Sequence, residues 1–344
     1  MKYLFSMVFT IIICVCNAQQ INQPLIDETA EKMLLYQRAN GGWPQYKGDA
    51  TDYIKEVSSE LQEKLVADKV RLDATCDDHT TTKEIKYLLS AHQQTNNPSY
   101  LAAAEKGIAY LLEAQHTAGG WPQSYPDTSS YHGHITYNDN AMIDVMWIIK
   151  GLAEENEKYQ AVDPGLKALA KEAFQKGVQC ILNTQVVQNG QLTAWCAQHD
   201  RNTLQPASAR KFEPASLSGS ESVGITRFLM AIDQPSADIK RAIRGAVAWF
   251  DAVKIEGWNV EIRKDPTQPT GRDRVIFEEE GSVIWARFYE FNTFQPIFTG
   301  RDGIIHYKLE DIENERRVGY GFYGKWANKL LAKEFPLWQE KWVD

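Results

Sequence analysis

The chain is short of cysteine, has no excess of basic residues, and has no low-complexity or single-sign run. Of 5 cysteines, Cys14 and Cys16 lie in an N-terminal apolar stretch. That leaves Cys76, Cys180 and Cys196, an odd number without metal-type spacing, which excludes a disulfide-stapled scaffold. Cys180 and Cys196 are close enough in sequence to bridge, but buried free thiols fit equally well. Lys and Arg number 37 against 45 Asp and Glu, a formal charge of −8. Such a balance offers no broad cationic surface for nucleic acid. With no charged tract and 43% hydrophobic residues, the composition is that of a folded globular chain.

Long apolar segments are also missing after the N-terminus. Lys2 is followed by an apolar run from Tyr3 to Cys16, shorter than the ~20 residues a membrane span needs. Cys16-Asn17-Ala18 then places small residues where a signal peptidase cuts. The expectation is a signal peptide over 1–18 and an exported mature protein, secreted or periplasmic. Acylation of Cys16 is disfavoured because Val15 is large for the preceding position. No Pro/Gly/Ser-rich linker divides residues 19–344, which read as a single catalytic domain.

In place of a linker there is a weak repeat. Gln37…Gly41-Gly42-Trp43-Pro44-Gln45 returns as Gln115…Gly119-Gly120-Trp121-Pro122-Gln123, and more faintly as Gln185…Asn189-Gly190…Trp195. Helical patterns lie between the copies. Ile85, Leu88, Leu89 and His92 share a face, Asn96-Asn97-Pro98-Ser99 breaks it, and Leu101, Ile108, Leu111 and Leu112 share the next. Met142, Val145, Met146 and Ile149 lead to a break at Asp163-Pro164-Gly165 and a helix from Leu166 to Leu182. A third pair runs from Val223 to Ala231 and, after Gln234-Pro235-Ser236, to about Ala252. Helix pairs repeating at roughly 70–80 residues cannot bury their faces alone. The expected class is therefore all-α, an α/α toroid or incomplete barrel of helix hairpins, with irregular loops. Short strands are expected only near Asn259–Ile262 and Arg274–Phe277, in a region covering one end.

The loop residues have a structural reading first. Gln at a helix end can satisfy orphan carbonyls, Gly supplies a left-handed stop, and Trp packs over helix ends. Stacking of the tryptophans on sugar rings is the lesser alternative. Asp77-Asp78, in Cys76-Asp77-Asp78-His79-Thr80-Thr81-Thr82, and Asp139, in Tyr137-Asn138-Asp139-Asn140, each precede the first helix of a pair. Either they cap those helices, or they converge as hard oxygen donors suited to Ca²⁺. Ala209-Arg210-Lys211-Phe212-Glu213-Pro214 and Ser218-Gly219-Ser220-Glu221-Ser222 occupy the same point of the third unit. Thr299-Gly300-Arg301-Asp302-Gly303 exposes one further arginine.

Taken in order, Gly-Gly-Trp-Pro-Gln at 41–45 and 119–123, Asp77-Asp78, Tyr137-Asn138-Asp139, Arg210–Glu213 with Ser218–Ser222, Trp285–Glu290 and Gly300–Gly303 resemble family 10 of the polysaccharide lyases, the pectate lyases. The resemblance covers nearly all of the chain after the leader. It implies Ca²⁺-dependent β-elimination on polygalacturonate, an acidic polysaccharide, by a secreted enzyme acting as a monomer. By motif it makes Arg210 the catalytic base and Asp139 a calcium ligand, with Asp77 in both metal and substrate binding. Asp78, Lys211, Arg287 and Arg301 become substrate contacts, Arg287 in a helical setting that equally suits an ion pair. Arginine is an unusual base, since guanidinium stays protonated near neutral pH; nearby cations such as Lys211 are expected to penalise its charged form. Arg201, Arg210, Lys211, Arg272, Arg274 and Arg301 are expected to make one positive cleft in an acidic surface.

Three other functions remain open at this level. A glycoside hydrolase would use Asp77 and Asp139 as acid and base. A terpene cyclase shares Gln-Trp loops, but Thr75-Cys76-Asp77-Asp78 lacks the first Asp of its acidic motif. A pectin-binding protein without turnover would need none of these roles.

Overall fold

The computed structural model describes residues 25–342; the expected signal peptide lies outside them. Helix α1 (Glu28–Tyr36) and helix α2 (Ser59–Ala67) precede three helix pairs. These are α3 (Thr82–Thr95) with α4 (Pro98–Glu113), α5 (Ala141–Ala153) with α6 (Pro164–Thr184), and α7 (Glu221–Met230) with α8 (Ala237–Ala252). The second helix of each pair is started by a polar cap: Asn97 Oδ1 accepts from Ser99 N, Asp163 Oδ1 from Gly165 N, and Ser236 Oγ from Ile239 N. Pro98 and Pro164 occupy first-turn positions, where no N–H is needed. Helices α3, α5 and α7 pack in succession, as do α4, α6 and α8. Helices α9 (Asn314–Gly319) and α10 (Phe335–Lys341) close the described chain. No helix among the described residues is long and apolar enough to cross a membrane.

The helix pairs follow the sequence pattern, but the all-α toroid does not form. Helix makes up 46% and strand 16%, the latter in several small sheets. The region read as short strands in an irregular cover is one long antiparallel hairpin, Ile255–Lys264 with Arg272–Ala286. Charged residues alternating along it, such as Arg263, Arg274 and Glu278, dilute the apolar signal of a half-exposed strand. Two smaller ladders matter more for the site. Ile135-Thr136 pairs with Gln198-His199, which pairs with Pro206-Ala207. Leu217-Ser218 pairs with Phe288-Tyr289.

Each repeat is closed by the same polar clamp. Gln37 Nε2 donates to Gly41 O and Ala103 O, at 2.8 and 2.9 Å. Gln115 Nε2 donates to Gly119 O and Ala173 O at the same two distances. Gln185 Nε2 donates to Thr193 O and Ala242 O, at 2.7 and 2.9 Å. The indole N–H groups of Trp43, Trp121 and Trp195 donate to Met33 O, Leu111 O and Ile181 O. Trp285 repeats the move at the end of α8, donating to Phe250 O. Trp43, Trp121 and Trp195 are fully buried, so they hold helix ends and present no face to a sugar. The clamp needs glycine: at Gly119 (φ +93°) a Cβ would stand 2.2 Å from Lys176 O. Gly119→Ala is therefore expected to destabilise by more than about 1 kcal/mol, visible as a lower Tm. Cys76, Cys180 and Cys196 are all free and buried, which decides against a bridge.

Candidate active site

The carboxylates before α3 and α5 are not caps. The cap positions are Thr81 and Asn140, and neither makes a side-chain capping bond. Instead, Asp77–His79 and Asn138–Asn140 form matching single turns in which Asp78 (φ +46°) and Asp139 (φ +48°) are left-handed. Asp tolerates that region better than most residues. The turns pack together and bring one carboxylate oxygen from each of Asp77, Asp78 and Asp139 within 4.8 Å of one another.

These oxygens line a cavity of about 310 Å³, shared with Gln45, Gln123, Tyr131, Gln198, Arg210 and Glu213 among others. Gln45 Nε2 donates to Asp78 Oδ2 at 2.8 Å, and Gln123 Nε2 to Asp77 Oδ2 at 2.7 Å. Asp77 Oδ1 is buried and has no hydrogen-bond partner. Burial, and then the charge of Asp78, raise the Asp77 pKa; burial, and then Asp139, raise that of Asp78. An orphaned carboxylate oxygen among crowded like charges is costly unless a cation joins it. The donor set, all carboxylate oxygens, fits a hard divalent ion such as Ca²⁺. Gln123 orients the Asp77 carboxylate, so Gln123→Ala is expected to weaken divalent-cation affinity about 10–100-fold in a calcium titration.

Arg210 faces the same cavity as Asp139. It is held there by Glu213, which accepts from Arg210 Nε at 2.8 Å and Nη2 at 2.5 Å. This fork is the main reason its pKa is raised, with burial acting in the opposite sense. The expectation that nearby cations destabilise its charged form is thus reversed in the free protein, although Arg301 and Arg316 are neighbours. All three guanidinium groups lie over the Phe212 ring, at 5.1 Å for Arg210, 4.8 Å for Arg301 and 4.2 Å for Arg316. Arg316 is buried, with Nε and Nη2 unpartnered.

Arg287 follows a strand and is not helical. Its Nη2 donates to Asp139 Oδ1 at 3.1 Å and to the buried Glu221 carboxylate, which Ser218 also holds. Burial opposes its charge, but Glu221, Tyr320 and Asp139 together raise its pKa. Arg287 therefore braces the Asp139 and Glu221 carboxylates through Nη2, while its Nε has no hydrogen-bond partner. Arg301 pairs with Glu315 at 2.7 Å, and Lys211 lies along Gly303; neither lines the cavity. Arg274 donates to Arg317 O, on the long hairpin. Of the six cations expected to form one cleft, only Arg210 lines the cavity.

The sequence reading missed Gln45, Gln123, Gln198, Glu213 and Glu221. One signal was available: a glutamine follows each of Trp43, Trp121 and Trp195 by two or three residues. The oxygens of Asp77 and Asp139 are also closer than the ~6.5–9.5 Å separation of an inverting hydrolase pair.

No curated protein matches the chain. A family 10 polysaccharide lyase from Cellvibrio cellulosa has a similar structure, with a TM-score of 0.79, 32% identity and 91% of each chain covered. A mutant of that lyase, solved in complex with trigalacturonic acid, gives the same score and identity over 92% of each chain. The family model of pectic acid lyase matches residues 37–331, so the chain belongs to that family and is a pectate lyase.

Proposed function

We propose that the protein is exported and cleaves polygalacturonate by calcium-dependent β-elimination, releasing 4,5-unsaturated oligogalacturonates. The observation that carries this reading is the convergence of Asp77, Asp78 and Asp139, with an orphaned oxygen on Asp77, in one cavity with Arg210. An acidic oligosaccharide bound by the similar lyase supports the substrate class.

The C5 proton of galacturonate is weakly acidic because its loss adds charge beside a carboxylate. When bound by Asp77, Asp78 and Asp139, calcium would supply positive charge against that carboxylate as the second charge develops. Arg210 accepts the C5 proton. The electron pair left behind forms the C4–C5 double bond, the C4–O bond breaks, and the departing oxygen takes up a proton from solvent. For this Arg210 must leave Glu213 and lose a proton, so the free-protein fork is a resting arrangement. Arg287 and Glu221 hold Asp139 in place. Arg301 and Lys211, beside the Phe212 turn, are the cations available to neighbouring uronates of the polymer.

Incubating the protein with polygalacturonate while following ultraviolet absorbance tests the reaction. Absorbance should rise with calcium, stop with chelator and resume when calcium is restored. New reducing ends without absorbance would indicate hydrolysis instead. Asp139→Ala should raise the calcium concentration needed. Calcium should also raise Tm. Asp77 and Asp78 have raised pKa values, so their ionised forms are disfavoured in the fold, and a cation relieves this only once they ionise. The added stability should therefore be present near pH 7 and fade as pH falls through those raised values.

A further inference from the structure

A second cavity, of about 390 Å³, opens on the exposed faces of α3 and α5 and is lined by Lys86, Trp147, Lys150, Gly151, Asn156 and Lys158. Three of its six lining residues are lysines and none is acidic, in a protein whose net charge is −8. Lys150 is paired with Glu154 at 2.6 Å, whereas Lys86 and Lys158 make no ion pair among the described residues. The turn Glu157–Tyr159 packs on α3, which brings Lys158 toward Lys86. Lys158 is held over the Tyr159 ring, 5.1 Å from its centroid. Gly151 makes room for that ring, since a Cβ there would stand 2.3 Å from it. The Lys86 pKa is lowered, first by desolvation; Asp144 acts against this and Lys158 adds to it. Two ammonium groups without an ion-pair partner among the described residues thus face one space, which suits an anion.

The fourth feature of the cavity is Trp147, a tryptophan left 37% exposed while Trp43, Trp121 and Trp195 are buried. Its ring packs edge-to-face on Phe228 at 5.2 Å, which fixes its orientation and leaves apolar surface to the cavity. An exposed indole beside ammonium groups suits a ligand with an apolar ring face and carboxylates at its edge. Helix α5 links Trp147 to the Asp77–Asp139 cavity. Asp144, one turn before it on α5, contacts His79, the residue after Asp78. Lys150 lies nine positions along α5 from its first residue, or about 14 Å from the carboxylate rim.

We propose that this pocket is a second, calcium-independent binding site for an oligogalacturonate segment, with Lys86 and Lys158 pairing uronate carboxylates and Trp147 stacking on a sugar ring. The proposal rests on the polygalacturonate reading for its ligand class, but its contacts use none of the residues assigned to turnover. Binding here would hold one stretch of polymer while another is cleaved, raising the local substrate concentration.

Titration calorimetry with trigalacturonate in chelator tests it, because the readout needs neither calcium nor turnover. The wild type should bind one equivalent, more weakly as salt rises. Lys86→Glu with Lys158→Glu, both exposed and outside the catalytic cavity, should lose at least about tenfold in affinity, since each reversal turns an attraction into a repulsion. The fully methyl-esterified trimer should not bind. Absence of calcium-independent binding in the wild type, equal affinity in the double variant, or equal binding of the ester would each overturn the proposal. Failure of the elimination assay would leave this titration readable, so the two readings can fail separately.

Discussion

Arg210→Ala is expected to lower kcat by about 10²–10⁴-fold while changing trigalacturonate affinity only a few-fold. The reason is positional. Among the described residues, Arg210 is the one arginine that lines the carboxylate cavity, with its guanidinium held by Glu213 there. A group that acts by accepting a proton contributes to the transition state and little to ground-state binding. The pH dependence supplies a second readout. Glu213 stabilises the protonated guanidinium and raises its pKa. The proton-accepting form is therefore scarce at neutral pH and grows as pH rises, so kcat should climb into the alkaline range. Glu213→Gln keeps a side chain of the same shape but removes the charge, and should move that climb to lower pH. Activity that peaks in acid, or an Arg210→Ala variant that fails chiefly in binding, would remove Arg210 from the role.

The largest stability effect is expected at Glu221. Its carboxylate is almost fully buried, and it shares Arg287 with Asp139; the Arg287 side chain is only 12% exposed. Glu221→Ala leaves a buried guanidinium facing Asp139 alone, with Arg287 Nε already lacking a partner. Breaking one side of such a pair costs about 3–5 kcal/mol. In a chain of this size that corresponds to a fall in Tm of about 4–7 °C. Arg287→Met added to Glu221→Ala should recover much of the loss, because no charge is then stranded. Calcium affinity should stay low in the double variant, since Asp139 has lost its brace. A Glu221→Ala protein as stable as wild type would show that the pair carries no such energy.

The helix pairs were legible because their signals are local. Apolar spacing at Ile85, Leu88 and Leu89, the cap-and-proline starts at Asn97-Pro98 and Asp163-Pro164, and the Gln…Gly-Gly-Trp loops each act within one or two helical turns. The structural reading of Gln37 and Gln115 holds for the same reason. The sheets were not legible. A two-residue ladder such as Leu217-Ser218 has no periodicity, and its partner, Phe288-Tyr289, is distant in the chain. The long hairpin was visible only in fragments, because charges break its alternation.

The candidate site divides along the same line. Residue type and loop position brought Asp77, Asp78 and Asp139 forward as either caps or metal ligands and placed Arg210 and Lys211 at the third equivalent loop; only the family resemblance singled out Arg210 as the base. The chain by itself thus determined the helix repeats, the acidic rim and the family resemblance. Only the tertiary structure decided that Glu213 holds Arg210, that Arg287 braces Asp139 through Glu221, that Gln45 and Gln123 orient the carboxylates, and that Arg301 and Lys211 stay outside the cavity. Apart from the Arg210–Glu213 pair, three residues apart in one loop, those outcomes depend on which side chains meet across small sheets and loops far apart in sequence. An ion pair is set by distance and burial, and neither quantity is encoded in the neighbours of a residue along the chain.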